Sequence, residues 1–459
     1  MKISFSFWIF QLCLIQTLFA QQITGPIRIH PNQRYFMDAE GQPFFWTADT
    51  AWELFHRLNQ EETKMYFTKR ADQGFNVIQA VVLAEENGLN DPNTNGDKPF
   101  LDEQYTQPNE AYFRHVDQVM DMALERGLHI ALLPTWGDKV ALDNWGQGPV
   151  IFDEASAYAY GKWIGNRYRN QKNLIWVLGG DRNPRKNSND RAIWNEMARG
   201  IMEQQNPENR QLMTFHPQPT APGGSSNWFH SEDWLDFNMH QTGHCPNQAT
   251  YQKIHHDLAL NPAKPTIDAE PMYEEHPKCF DAKNQGYSEA TDIRKIMYWN
   301  VFAGAAGQTY GCHAVWQMFD LDKKPVNAPL KPWHQSLDLE AANQMKHLKK
   351  LMISRPYFER IPDQSMIVEQ QLDDETYVSA TRDKKGSYGF FYFPDGKSIS
   401  INLENLTGTA FKVTWFDPRT GVEFPGNGGS PLSKETSLPI RTPSSGRGND
   451  WVLIVDSID

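Results

Sequence analysis

From residue 43 to residue 352, short apolar runs alternate with stretches in which apolar residues recur every three or four positions. Eight runs stand out: PFFWTADTAW, FNVIQAVVL, LHIALLPTWG, LIWVLGGD, LMTFHPQP, DFNMHQTGH, PTIDAEPMY and QTYGCHAVWQ. Each ends in polar or aromatic residues, and their length and branched or aromatic content read as strands. Helical patterns lie between them. Asn59-Gln60-Glu61-Glu62 has the form of a capping box opening a first helix, which Gly74 closes. Phe113, Val116, Met120 and Leu124 form one face of a second helix, ended by Gly127. Asp190 to Gln205, Thr291 to Gly304 and Leu337 to Leu351 read the same way, the last with Leu339, Met345, Leu348 and Met352 on its apolar side. Strand then helix, eight times over, predicts an α/β (β/α)8 TIM barrel. A doubly wound open sheet is the alternative. It usually brings a Gly-rich turn after the first strand, which TADTAW lacks.

After Ser354 the pattern changes. YVSATRD, GSYGFFYFP, SISINLEN, AFKVTWFDP and DWVLIVD are parted by Gly, Asp, Asn and Pro, with no helical stretch among them. The reading is a catalytic barrel over residues 21–353 and a smaller all-β sandwich over 354–459, joined at Arg355-Pro356. That short junction leaves little room for independent movement, so the tail is expected to pack on the barrel. Residues 1–20 stand apart: Lys2, an apolar run from Phe5 to Phe19, then Ala20 before Gln21-Gln22. This is the layout of a cleavable secretory signal, too soon polar to span a membrane, and it implies a secreted or periplasmic protein.

Composition narrows the partners. A net charge of −12 argues against a nucleic-acid surface or an acidic membrane. Cys245, Cys279 and Cys312 remain after the signal, and an odd number allows at most one bridge. No His/Cys spacing reads as a zinc site, so no cofactor is expected. Aromatic residues make up 12% of the chain, with fifteen Trp, and sugar faces stack on such rings.

Barrel enzymes carry their active groups at the C-terminal ends of the strands. The fourth strand delivers Asp181 after Gly179-Gly180, and the seventh delivers Glu270 before Pro271. Glycosidic cleavage needs two carboxyl groups flanking the bond, and these ends can face each other across a barrel mouth. The structural alternatives are a helix cap or an Arg182 ion pair for Asp181, and a structural ion pair for Glu270. Asp268 falls two residues before Glu270, on the same face by strand alternation but deeper, which suits support. The other ends supply groups that donate and accept hydrogen bonds or stack on sugars. These substrate-binding candidates are Trp46, Asp49, Gln79, Trp136, Asp138, Asn183, His216, His240, Gln241, Tyr273, His313, Trp316 and Gln317.

Together TADTAWELFHRL, LPTWGDK, WVLGGDRNP and IDAEPMYE resemble glycoside hydrolase family 140, the apiosidase family of pectin degradation. The resemblance covers the whole mature chain, since family members also carry a C-terminal β domain, labelled collagen-binding. It implies a retaining hydrolase that cuts beside apiose in rhamnogalacturonan II side chains, a plant cell-wall substrate; a monomer without a cofactor is the separate expectation. Asp181 then serves as acid/base and Glu270 as nucleophile. One departure matters. The wider clan places Asn just before a Glu acid/base, to meet the sugar 2-hydroxyl, whereas here Gly180 precedes an Asp and Asn183 follows. Asn183 is the candidate replacement. The shorter Asp widens the gap to Glu270, and the paired glycines are expected to restore the retaining separation of roughly 5–5.5 Å. The competing readings are another furanosidase specificity on this scaffold and a non-catalytic glycan- or collagen-binding protein.

Overall fold

The structure is a computed structural model that describes residues 22–142, 145–246, 248–369 and 375–458. The proposed signal, residues 1–20, lies outside them. Among the described residues no helix is long and apolar enough to cross a membrane.

Eight parallel strands form the barrel: β1 (Trp46–Thr50), β2 (Val77–Leu83), β3 (His129–Thr135), β4 (Leu174–Gly179), β5 (Met213–His216), β6 (Asn238–Gln241), β7 (Thr266–Glu270) and β8 (Gly307–Tyr310). Six run in the ladder β8-β1-β2-β3-β4-β5, and β6 pairs with β7. Single backbone bonds close the two seams, Asp236 N to the Met213 carbonyl (2.8 Å) and Ala306 N to the Thr266 carbonyl (2.9 Å). Every residue of β2 and β3 is buried, because the barrel interior covers one face and the helices the other. That double cover explains runs such as VIQAVVL, which show no polar alternation.

Helices follow the strands in order: α1 (Gln60–Asp72), α2 (Glu110–Glu125), α3 (Glu154–Tyr168), α4 (Asp190–Met202), α5 (Ser226–Phe229), α6 (Thr250–Leu258), α7 (Ala290–Phe302) and α8 (Glu340–Ile353). The capping box of α1 forms as the sequence predicts: Glu62 N donates to Asn59 Oδ1 and Asn59 N to Glu62 Oε2, both at 2.9 Å. The fifth helix is reduced to a single turn, and α4 stops at Met202, short of Gln205.

The C-terminal region differs from the predicted sandwich in one respect. Its body is a seven-stranded antiparallel sheet, with β9 (Ser379–Asp383), β10 (Tyr388–Phe393), β11 (Ala410–Phe416) and β12 (Trp451–Ser457) at its centre. Among the described residues a two-stranded sheet, residues 399–401 with 438–440, lies over one face of it, with Met366, Leu403 and Leu406 beside it. The barrel covers the other. Tyr298 of α7 stacks on Tyr392 (4.7 Å), Trp299 Nε1 donates to the Tyr377 carbonyl (2.8 Å), and buried Arg294 pairs with Asp450 (2.8 Å). The second layer of the sandwich is therefore largely the barrel itself. Helix α7, wedged between the two, is buried almost all round, which is why ATDIRKIMYWNVF shows little amphipathicity.

Candidate active site

The strand-to-helix loops enclose a cavity of about 430 Å³ at the barrel mouth, and both Asp181 and Glu270 line it. The end of β4 reaches it through three residues in the left-handed region: Gly179 (φ 86°), Gly180 (φ 102°) and Asp181 (φ 51°). A Cβ on Gly179 would sit 2.4 Å from the His216 carbonyl, and one on Gly180 2.8 Å from the Trp136 ring. Only glycine fits either place. Arg182 donates to the Asp181 carbonyl (2.5 Å) and to that of Ala141 (3.0 Å), so it fixes the backbone and leaves the Asp181 carboxyl facing the cavity.

Glu270 closes β7, where the register to β6 shifts between Asp268 and Glu270. This bulge overturns the expected alternation. Asp268 turns to the helix layer and accepts from Asn300 of α7 (3.0 Å) and Thr242 (2.6 Å), while Glu270 faces the mouth. Two histidines hold the Glu270 carboxylate: His216 Nε2 lies 3.3 Å from Oε2 and His244 Nε2 lies 3.2 Å from Oε1. His244 stacks on His276 (4.1 Å), and its carbonyl accepts from Cys279 N (2.9 Å). Cys279 is bridged to Cys245, the one disulfide the cysteine count allowed, while Cys312 is a buried thiol.

These neighbours drive the two carboxyls apart. Burial, then the Glu270 charge, raises Asp181 to about 6. Burial would raise Glu270 too, but the hydrogen bonds of His216 and His244 outweigh it and hold it at about 2. A third carboxyl, Glu85, also lines the cavity; burial, then Glu53 and Glu86, pushes it well above the usual range. Trp145 Nε1 donates to it.

Six of the predicted residues share the cavity wall: Asp181, Glu270, Trp136, Gln241, Tyr273 and Trp316. His216 is buried beneath them, between the two carboxyls, with its Nδ1 accepting from Asp181 N (3.4 Å). Among the described residues Trp136 Nε1 and Gln241 Oε1 have no hydrogen-bond partner. A buried polar atom left so costs ~1–3 kcal/mol, and a sugar hydroxyl would remove that cost.

The remaining candidates lie off the cavity wall. Trp46 begins β1, at the opposite end of the barrel, and donates to Thr309 (3.1 Å). Asp49 is locked by Arg70 (2.6 Å) and Tyr66 (2.5 Å), and Gln79 donates to the Ala269 carbonyl (2.9 Å) inside the barrel. Asp138 pairs with Lys139 (2.8 Å) and accepts from Gln147 N and Gly148 N, pinning the loop that carries Trp145. Asn183 accepts from Gln218 N (3.0 Å), so it fixes a loop instead of facing a sugar. His240 turns outward to Asp257 (2.8 Å). His313 supports Trp316 and Asn327, and Gln317 holds Val326. Polar residues at strand ends divide between the mouth and its scaffolding, and residue type alone does not separate them.

The site also holds residues the candidate set lacks: Trp52, Glu85, Trp145, Gln218, His244, Gln248, His276, Phe280 and Asn327. Trp52 and His244 stand at predicted strand ends, and Glu85 lies two residues beyond β2, so each had a positional signal. Phe280 had none.

Two carboxyls of opposite protonation bias facing one cavity at a barrel mouth fit a glycoside hydrolase, and solved structures agree. A glycoside hydrolase family 5 protein from Bacteroides vulgatus is 30% identical, with a TM-score of 0.84 over 94% of this chain and 93% of its own. A second structure, a glycoside hydrolase, is 29% identical with a TM-score of 0.83, covering 94% and 97%. No curated protein matches in sequence. The family described as "Apiosidase-like, catalytic domain" matches residues 30–359, and the chain belongs to it. Residues 361–456 match "Putative collagen-binding domain of a collagenase".

Proposed function

We propose that this protein is a secreted or periplasmic apiosidase of glycoside hydrolase family 140, acting with retention on apiose-containing side chains of rhamnogalacturonan II in plant pectin. The observation that carries the mechanism is the opposite protonation bias of Asp181 and Glu270 in one cavity. In the first step Glu270, ionised, attacks the anomeric carbon while Asp181 gives its proton to the departing oxygen. A glycosyl ester on Glu270 and a free alcohol result. In the second step Asp181, now a carboxylate, takes a proton from water as its oxygen attacks the anomeric carbon, and Glu270 leaves unchanged. His216 and His244 favour the ionised form of Glu270 before attack and as the leaving carboxylate, and orient it in both steps. The family description supports apiose as the sugar. In this reading the β domain braces the barrel, since barrel and small sheet cover its main sheet on both sides.

The test is to incubate the purified protein with rhamnogalacturonan II oligosaccharides, identify released sugars by mass, and follow the first-formed anomer by NMR. Free apiose or a shortened apioside with unchanged anomeric configuration is expected. Release of a different sugar sinks the specificity, and inversion sinks the nucleophile role of Glu270.

A further inference from the structure

Phe280 is the one Phe, Tyr or Trp residue that is exposed among the described residues, at 62%, and it lines the cavity. Its backbone is in the left-handed region (φ 61°), as is that of Cys279 before it (φ 49°), and neither residue is suited to that region. The turn is held by its surroundings. The Cys245–Cys279 bridge ties it to the loop after β6, Cys279 N donates to the His244 carbonyl (2.9 Å), and Phe280 N donates to the Pro277 carbonyl (3.0 Å). The ring meets His276 edge-on at 5.0 Å and His244 at 5.7 Å, and its remaining surface is open. A fold that holds a large apolar ring outward, in a conformation its residue disfavours, is using the ring. Aromatic faces at a sugar cavity stack on the C–H faces of a saccharide ring.

We propose that Phe280 forms a second saccharide subsite, which stacks the unit next to the sugar held between Asp181 and Glu270, and that the disulfide positions it. This rests on the hydrolase reading above. It makes the substrate an oligosaccharide of at least two units and gives the disulfide a part in choosing it.

The test compares kcat/KM on methyl apioside, which has no second sugar, with that on an apiose-containing rhamnogalacturonan II oligosaccharide. Phe280→Ala is expected to lower the oligosaccharide-to-methyl-apioside ratio about tenfold, the size of one lost stacking contact. Phe280→Trp should restore the ratio. The Cys245→Ser/Cys279→Ser double variant should lower it in the same direction, because the turn is then free to relax. A Phe280→Ala ratio within twofold of the unaltered enzyme overturns the subsite, and an unmoved ratio in the double variant overturns the role of the disulfide. If the unaltered enzyme cuts neither compound, the apioside reading has failed and the subsite is judged by binding. Titration of that oligosaccharide into Glu270→Gln, with and without Phe280→Ala, then overturns it unless the second change weakens binding about tenfold.

Discussion

The ends of β4 and β7 each present one buried-edge carboxyl to the same cavity, and they do so by opposite means. At β4 the backbone does the work: two glycines and a left-handed Asp181 bring a short side chain to the wall, where Gln241 meets its carboxyl while Arg182 bonds its carbonyl. At β7 the side chains do it: a bulge turns Glu270 to the mouth and two histidines grip both of its oxygens. Both groups feel burial, which raises a carboxyl, yet one titrates at about 6 and the other at about 2. Burial alone therefore assigns no role. The role follows from what is placed within hydrogen-bond reach of the buried group.

The largest effects should separate the two ends most sharply. Asp181→Ala and Glu270→Ala should each lower kcat on the best oligosaccharide by about a thousandfold or more, with folding intact by circular dichroism. On apiosyl fluoride, whose departure needs little acid assistance, azide should revive Asp181→Ala and give a retained glycosyl azide. A retained azide product from Glu270→Ala would reverse the assignment. Next comes the backbone device of β4. Gly180→Ala drives a Cβ to within 2.8 Å of the Trp136 ring and 3.0 Å of Gly137 N, at a φ only glycine favours. A displacement of that kind should cost about a hundredfold in kcat. An active Gly180→Ala would show that Asp181 is placed by something else.

The histidine grip of β7 predicts a smaller, pH-dependent loss. Without His244 one hydrogen bond to Glu270 is gone, so the acidic limb of kcat/KM should move up toward the ordinary Glu range, with about a tenfold loss at the optimum. An acidic limb that stays put would remove His244 from the account. The smallest effect is on stability, and its sign differs between the ends. Asp181 is raised, so its stabilising protonated form is present below the ordinary carboxylate range and lost as pH rises through about 6. Asp181→Asn should raise Tm by a few degrees near pH 7.5 and leave it level near pH 4. Glu270 is depressed, so its contribution is present above the ordinary range and lost as pH falls through about 2. Glu270→Gln should lower Tm at pH 7. Equal signs in the two melting series would break the comparison.

Alternating apolar runs and helical stretches determined the barrel, because strands covered on both faces must be continuously apolar and helices covered on one must repeat every three or four residues. The same logic placed Asp181 and Glu270, since a parallel barrel exposes only its strand ends. It failed where neighbours decide direction. His240 and Gln241 are adjacent in one strand and point to opposite layers, and the bulge before Glu270 sends Asp268 to the helices. Asp138 and Asn183 have the chemistry to bind a sugar, but backbone amides of nearby loops consume it. Phe280, His244 and the Cys245–Cys279 bridge meet at the mouth only because two loops 34 residues apart at their cysteines are folded together. Residue type and spacing are written along the chain. Which hydrogen-bonding groups are left free for a ligand depends on every loop that packs around them, and only the tertiary structure decides that.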